Sequence, residues 1–509
     1  MNFYISSKVP FMPQQENFFQ RPLNSTHSWS PIKLVSRRDA LSRVALGLGS
    51  IALASLLEGE KPLHAANGLT SRQINTDLLV REPHFLPHAK RVVLLFQHGG
   101  PSQLDLFDPK PMLSKYEGKP VPGGVDAFFD TQDSGKCLPS PFRFSKHGEC
   151  GMEFSELVPH LASCADDICK IQSMTTQFND HESAIRMIQT GQGRVGRPTL
   201  GSWITYALGA ENQNLPAYVV LSDPKGYQVD GPRNWSSGWL PAIYQGTPLR
   251  SQGIPIFNLN LPEGMDRQTR RDQLNYLAAL NEEHYNKHPH LSELEARIKN
   301  YELASNIKDS VTGALDLSQE SESTQHLYGL HEKETKSYGT RCLMARRLLE
   351  KGVRFVSVFN DLIMGDPWDT HFNHNSRTRT VAKNVDRPSA ALIKDLKQRG
   401  LLEDTLVIWA GEFGRLPVAQ GKDGRDHNRH GFTILLSGGG FKRGLSYGTT
   451  DEFGYKVQEN PVSTHQLHAT MLQVLGFDHQ RLTYPHGGRK ESLTDAAITG
   501  AEPVPEIID

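Results

Sequence analysis

"RVVLLFQHGG" (91–100) opens with an almost unbroken run of β-branched and aliphatic side chains. A half-exposed strand would alternate apolar with polar residues, and this one does not. A run of this length and character suits a strand buried on both faces, in a mainly parallel sheet covered by helices. Five further runs read the same way: "DICKIQSM" (167–174), "AYVVLS" (217–222), "RFVSVFN" (354–360), "TLVIWAG" (405–411) and "FTILLSGG" (432–439). Helical patterns fall between them at 153–165, 182–190, 199–209, 341–351, 387–399 and 463–475. The last, "STHQLHATMLQVLG", reads as a capped amphipathic helix closed by Gly476. This alternation predicts one doubly wound α/β domain. Residues 108–150, rich in Pro, Gly and Lys, read as a long surface loop. Residues 265–340 are polar and read as a helical insertion or cap.

The chain has 509 residues, 37% hydrophobic and 22% charged, which describes an ordinary globular protein with a large core. Lys and Arg number 55 against 56 Asp and Glu, so no global field draws it to nucleic acid or to an anionic membrane. Within the first 66 residues, "SRRDALSRVALGLGSIALASLL" (36–57) places Arg37-Arg38 before a short, Gly- and Ala-rich apolar run, with "LHAA" as a small-residue exit. That pattern predicts a twin-arginine export signal over residues 1–66 and a mature chain, 67–509, without a membrane span. The location expected is the bacterial periplasm or beyond. The five cysteines form no CxxC pair; Cys137–Cys150 or Cys164–Cys169 could pair in an oxidising compartment, or all could stay reduced.

The 21 histidines are the unusual count. In open α/β sheets ligands bind beyond the carboxyl ends of the strands, so the residues just past each strand carry the most weight. The first run leads into His98-Gly99-Gly100, with Asp105 and Asp108 behind it. The second leads to Thr175, Thr176, Asp180 and His181. The fourth is followed by Asp366, Asp369, His371 and His374. The fifth delivers Glu412 and Arg415, then Asp426, His427 and His430. Four strands releasing His and carboxylate groups at one end of a sheet predict a metal site. Mixed imidazole and carboxylate suits Zn²⁺, Mn²⁺ or Fe, whereas all-oxygen sites suit Ca²⁺ or Mg²⁺. One or two ions are expected, the choice among Zn, Mn, Fe and Ca being open at this level. Two would clamp the attacking and leaving oxygens of a phosphate or sulfate ester.

The order of strands and motifs resembles the alkaline phosphatase superfamily, sulfatases especially. It is most similar to the exported family called domain of unknown function 1501. The resemblance runs from about Arg91 to Arg489 and rests on "HGGPSQLDLFDPKP", "RPTLGSWITYALGAENQNLPAYVVL", "WDTHFNHN", "WAGEFGRLP", "GRDHNRHGF" and "LHATMLQVLGFDHQRLTYPHGGR". It implies a three-layer α/β/α sandwich with a mostly parallel central sheet. It also implies His98, Asp369, His371, Glu412 and His427 as metal ligands, with Asp105 and His430 as additions.

"FNDHESAIRMIQTGQG" (178–193) is similar to the sulfatase stretch whose lead Cys or Ser becomes formylglycine, and His181 stands at that lead position. Histidine cannot be so converted. His181 is therefore a ligand, a direct nucleophile through nitrogen, or a substrate contact. Alternatively the stretch merely caps a helix through Asp180. "CLPSP" (137–141) approaches the modification motif but carries Pro141 in place of its arginine. Arg415 and Arg186 could orient a tetrahedral anion, or serve in structural ion pairs. "SGGG" (437–440) lacks the Lys-Ser/Thr of a phosphate-binding loop and reads as a tight turn. The expected activity is hydrolysis of a small-molecule or glycan ester of sulfate or phosphate. The alternative is a non-catalytic, metal-containing binding protein for a glycan or protein partner.

Overall fold

The computed structural model describes residues 78–127, 134–252, 264–287, 313, 315–362 and 367–509. The export-signal reading of residues 1–66 lies outside them, as does Asp366. Nine strands form one sheet: β1 (Arg91–Phe96), β2 (Ile168–Thr175), β3 (Tyr218–Leu221), β4 (Thr247–Leu249), β5 (Phe355–Phe359), β6 (Thr405–Ala410), β7 (Phe432–Ser437), β8 (Leu445–Tyr447) and β9 (Val462–Ser463). Their order is β8-β2-β7-β6-β1-β5-β3-β4, with β9 also paired to β2. The six strands read from sequence all occur within two residues of their expected bounds.

The sheet is mostly parallel, and the exception is informative. β7 runs antiparallel to both β2 and β6, while β1 is parallel to β5 and β6. Two reversals leave β2 pointing the same way as β6. The exit of β2, the approach to β7 and the exits of β1, β5 and β6 therefore share one edge. Register aligns those exits, since Phe96 lies beside Phe359 and Ala410.

Both faces of the sheet are covered, which is why its central strands are almost wholly apolar. Val93 and Leu95 join a core with α4 (Lys336–Glu350) and α5 (His374–Gln398). Val92, Leu94 and Phe96 join another with α1 (His181–Thr190), α2 (Leu200–Leu208) and α6 (Thr464–Val474). Successive strand residues point to opposite faces, so one strand feeds both layers. The result is the three-layer α/β/α sandwich. α6 carries a capping box between Ser463 and Gln466. "SGGG" does form a turn, with Gly438, Gly439 and Gly440 all at positive φ.

Some readings change. Residues 153–165 are not one helix: Met152–Ser155 is a strand, with Met152 and Phe154 buried and Glu153 exposed between them, and only Pro159–Ala162 is helical. The helix expected at 387–399 begins at His374 and passes through Pro388. That proline removes one main-chain hydrogen bond, but the flanking turns bury Val381, Val385, Leu392 and Leu396 in the same core as α4. The 108–150 stretch is not all surface, because Leu113, Val121 and Cys137 pack with Leu416, Val418 and Phe453. α3 (Arg267–Lys287) is a mostly exposed helix, as read for the insertion, but Tyr328 and Tyr338 at the end of that range are wholly buried in the main core. All five cysteines are free thiols. Among the described residues no helix is long and apolar enough to cross a membrane.

Candidate metal centre

At the shared edge of the sheet, three imidazoles meet one carboxylate oxygen. Asp369 Oδ1 lies 2.9 Å from His371 Nε2, 3.2 Å from His181 Nε2 and 3.3 Å from His427 Nε2. His371 Nε2 and His427 Nε2 are 3.0 Å apart. One ligand atom from each of these four residues lies within 4.8 Å of every other.

Each residue arrives by a different route. His181 is the first residue of α1, whose N-cap is Asp180: its carboxylate accepts from Ser183 N at 2.8 Å. Asp180 thus caps the helix, and His181 beside it faces Asp369. Asp369 and His371 lie beyond β5. Their loop passes so close to the exit of β1 that a Cβ on Gly99 would sit 2.7 Å from the backbone nitrogens of Trp368 and Asp369. Gly99 also has φ +103°, a conformation glycine alone adopts readily. His427 comes just ahead of β7, in a short strand paired with Gly414–Arg415.

The outer nitrogen of each ring settles its tautomer. His181 Nδ1 donates to Glu412 Oε1 at 2.6 Å, and His427 Nδ1 to the Asn179 carbonyl at 2.6 Å. His371 Nδ1 donates to Gln420 Oε1. None of the three acceptor oxygens carries a hydrogen, so each ring donates outward through Nδ1 and faces Asp369 with Nε2. His181 Nε2 is buried, 3.2 Å from Asp369 Oδ1. Three ring nitrogens gathered round one carboxylate oxygen make a donor set that a cation can share. Outer-sphere acceptors on Nδ1 are how proteins orient imidazole ligands.

The electrostatics put a proton on one of the three rings when no ion is bound. Burial disfavours a charge on His181, but the carboxylates of Asp369 and Glu412 outweigh it and raise its pKa to about 10. Burial, reinforced by the charges of Arg415 and His181, brings His427 down to about 3, so it stays neutral. Burial would raise the pKa of Asp369, yet Arg415 and the three imidazoles hold it well below the ordinary carboxylate range.

The other expected site residues lie around this group or away from it. Glu412, 1% exposed, is not among the four; it holds His181 and accepts from Gly99 N at 2.8 Å. His98 is fully buried, near Asn360 and the charge of His181, and is not one of the converging four. Arg415 is wholly buried and spends its guanidinium on Asp369 Oδ1 (2.7 Å) and on the carbonyls of Gly99, Gly100 and Arg425. It positions Asp369 and has no donor directed at an anion. Arg186 likewise forms a two-point ion pair with Asp230.

Asp105 is a correction. Its carboxylate is sealed among Arg425 Nε (2.8 Å), His374 Nε2 (2.8 Å) and Ser102 Oγ (2.5 Å). His430 is another: its ring packs on Tyr455 and faces Asp126 at 3.6 Å. Gln420 and Asn179 were missed. Gln420 stands in "AQGKDG" with no spacing signal, and Asn179 contributes a backbone carbonyl that no side-chain pattern can report.

Residues 89–508 match the family described as "Protein of unknown function (DUF1501)". No curated protein matches the chain. Among solved structures, the chain is similar to the phosphonate monoester hydrolase from Silicibacter pomeroyi, at 11% identity over 82% of this chain and 77% of that one, with a TM-score of 0.33. A protein in the alkaline phosphatase superfamily from Vibrio parahaemolyticus matches at 11% identity over 78% and 69%, TM-score 0.33. A putative sulfatase from Bacteroides fragilis matches at 12% identity over 84% and 81%, TM-score 0.30.

Proposed function

The chain belongs to the family described as protein of unknown function DUF1501, and from that premise we propose that it is a metal-dependent hydrolase of sulfate or phosphate esters. The observation that supports this most is the convergence of three imidazole Nε2 atoms on Asp369, each ring held from behind by an acceptor. His181, Asp369, His371 and His427 would hold one divalent ion. Three nitrogens favour Zn²⁺, Mn²⁺ or Fe over Ca²⁺, which takes oxygen ligands. When bound, such an ion supplies Lewis acidity to an ester oxygen and to water.

The protein's own groups supply the rest. Glu412 holds His181 Nδ1, and Nε2 faces Asp369 where the ion would sit, so the ring would not attack substrate itself and the nucleophile would be water. Glu412 and Arg415 keep His181 and Asp369 in place. The Phe413 ring packs on His181 and His427, with centroids 4.9 and 4.4 Å away, and gives the two imidazoles an apolar backing. The side chains of Asp369 and His371 are 25% and 18% exposed, which leaves the centre open to an incoming ester.

Export through the twin-arginine route goes with this reading, since it carries proteins already folded around a metal. Replacing Arg37 and Arg38 with Lys should trap the precursor inside the cell; unaltered export would remove that part. The activity is tested by metal analysis of the exported protein and a panel of sulfate, phosphate and phosphonate esters. Metal-dependent turnover that His371→Ala abolishes is expected. Full metal occupancy with no turnover would favour the second reading, a binding protein for an extracytoplasmic glycan or protein. That reading draws on Arg415 and Arg186, neither of which points a free donor at an anion.

A further inference from the structure

We propose that Glu322, His326 and His331 form a second metal site, on the surface and separate from the first, that takes Zn²⁺ or a similar borderline divalent ion. One ligand atom from each of the three lies within 4.8 Å of the others. Glu322 and His326 stand four apart on a short helix (Glu322–Leu327), which places them on one face. His326 Nε2 is 3.9 Å from Glu322 Oε1. The rings of His326 and His331 have centroids 4.1 Å apart.

The backbone makes this meeting a built feature. Ser321 Oγ caps the helix by accepting from Thr324 N at 3.1 Å. Beyond it the chain folds back: Leu330 N donates to the Gln325 carbonyl at 3.0 Å, and Gly329 takes φ +69°. A Cβ on Gly329 would lie 2.4 Å from Thr335 Oγ1, and that hydroxyl donates to the Gly329 carbonyl at 2.6 Å. Tyr328 roots the turn in the core through its hydroxyl, which donates to Asp395 at 3.0 Å. His331 is thus delivered to the helix face by a turn anchored on both sides.

The chemistry is that of a borderline ion: two imidazoles and one carboxylate, a donor set that Zn²⁺ binds at about 2.0–2.2 Å. Arg387, which donates to the His326 carbonyl, is also paired with Glu332, which offsets its repulsion. The side chains of Glu322 and His326 are 83% and 57% exposed. An ion can reach them, and they can close on it by rotating at little cost. Being exposed, they can also be replaced without disturbing the core.

Full-length protein stripped with a chelator is titrated with Zn²⁺ against a chromogenic competitor. The parent should show two classes of site. Joint replacement His326→Ala and His331→Ala should remove the weaker class and leave the tighter one, while His371→Ala does the reverse. Glu322→Gln should weaken the weaker class about tenfold, within the range of a lost charge at a metal site. A parent with one class of site, or a double variant that keeps both, overturns the proposal. Neither result bears on the His181–Asp369 centre, whose own variant is read separately.

Discussion

Asp105 and Asp369 lie beyond neighbouring strands, and each sits beside an arginine and histidine. Around Asp105 every neighbour brings a hydrogen: Arg425, His374 and Ser102 all donate to it, and the group is closed to solvent. Burial pushes its pKa up, but Arg425 and His374 more than reverse that, so it remains a carboxylate. Around Asp369 Arg415 donates, while the three imidazoles commit their Nδ1 hydrogens elsewhere, so their Nε2 atoms can turn to a cation once His181 gives up its proton. The same residue types therefore make a finished ion-pair cluster in one place and a candidate cation site in the other. Residue identity does not separate them; the acceptor behind each ring does.

The largest effect should come from breaking the finished cluster. Arg425→Met leaves Asp105 buried without its cation, and such a break costs about 3–5 kcal/mol. We expect denaturant unfolding to show that loss, while the protein that remains folded carries the parent's metal content. Loss of metal in step with stability would mean that the two clusters act as one.

Removing a ring at the other cluster should do the converse. His371→Ala or His427→Ala is expected to weaken metal binding by more than about 100-fold, beyond the range of an outer-sphere change. Metal analysis of the folded variants would read this directly, and full occupancy in both would defeat the site. Glu412→Gln sharpens the contrast further. It keeps an acceptor oxygen for His181 Nδ1 but removes the charge, so affinity should fall by only about tenfold, whereas Glu412→Ala should cost more.

The smallest effect is a proton. In the metal-free protein the pKa of His181 is raised to about 10. A raised histidine adds stability that is fully present below its ordinary value near 6.5 and is lost as pH rises toward 10. Between those limits an incoming ion must displace that proton. Calorimetric titration in buffers of different ionisation enthalpy should therefore show about one proton released per ion from His181. No buffer dependence near pH 8 would mean that the ring is already neutral.

Much of this was legible in the chain before any coordinates. Two-sided burial leaves near-continuous apolar runs, so the strands could be read locally. The rule that sites gather at strand exits then pointed to His181, Asp369, His371 and His427. It over-collected, however, because Asp105 and His430 also come after strands. Nothing local shows that Asp105 meets Arg425 across 320 residues, or that His430 turns toward Asp126. Residue 181 illustrates both limits: its neighbour Asp180 is recognisable as a cap from sequence, while the direction of the ring is not.

The sequence alone determined the six main strands, most of the helices packed on them, and which residues would crowd the sheet's edge. Those properties depend on side-chain pattern over a few residues. Only the tertiary structure decided which of the crowded groups converge. β7 had to reverse before His427 could join the exits of β5 and β2, and Gly99 had to let two loops pass. A ring nitrogen becomes a ligand when its other nitrogen finds an acceptor. Here those acceptors are a glutamate, a glutamine and a backbone carbonyl, brought from segments up to 248 residues away.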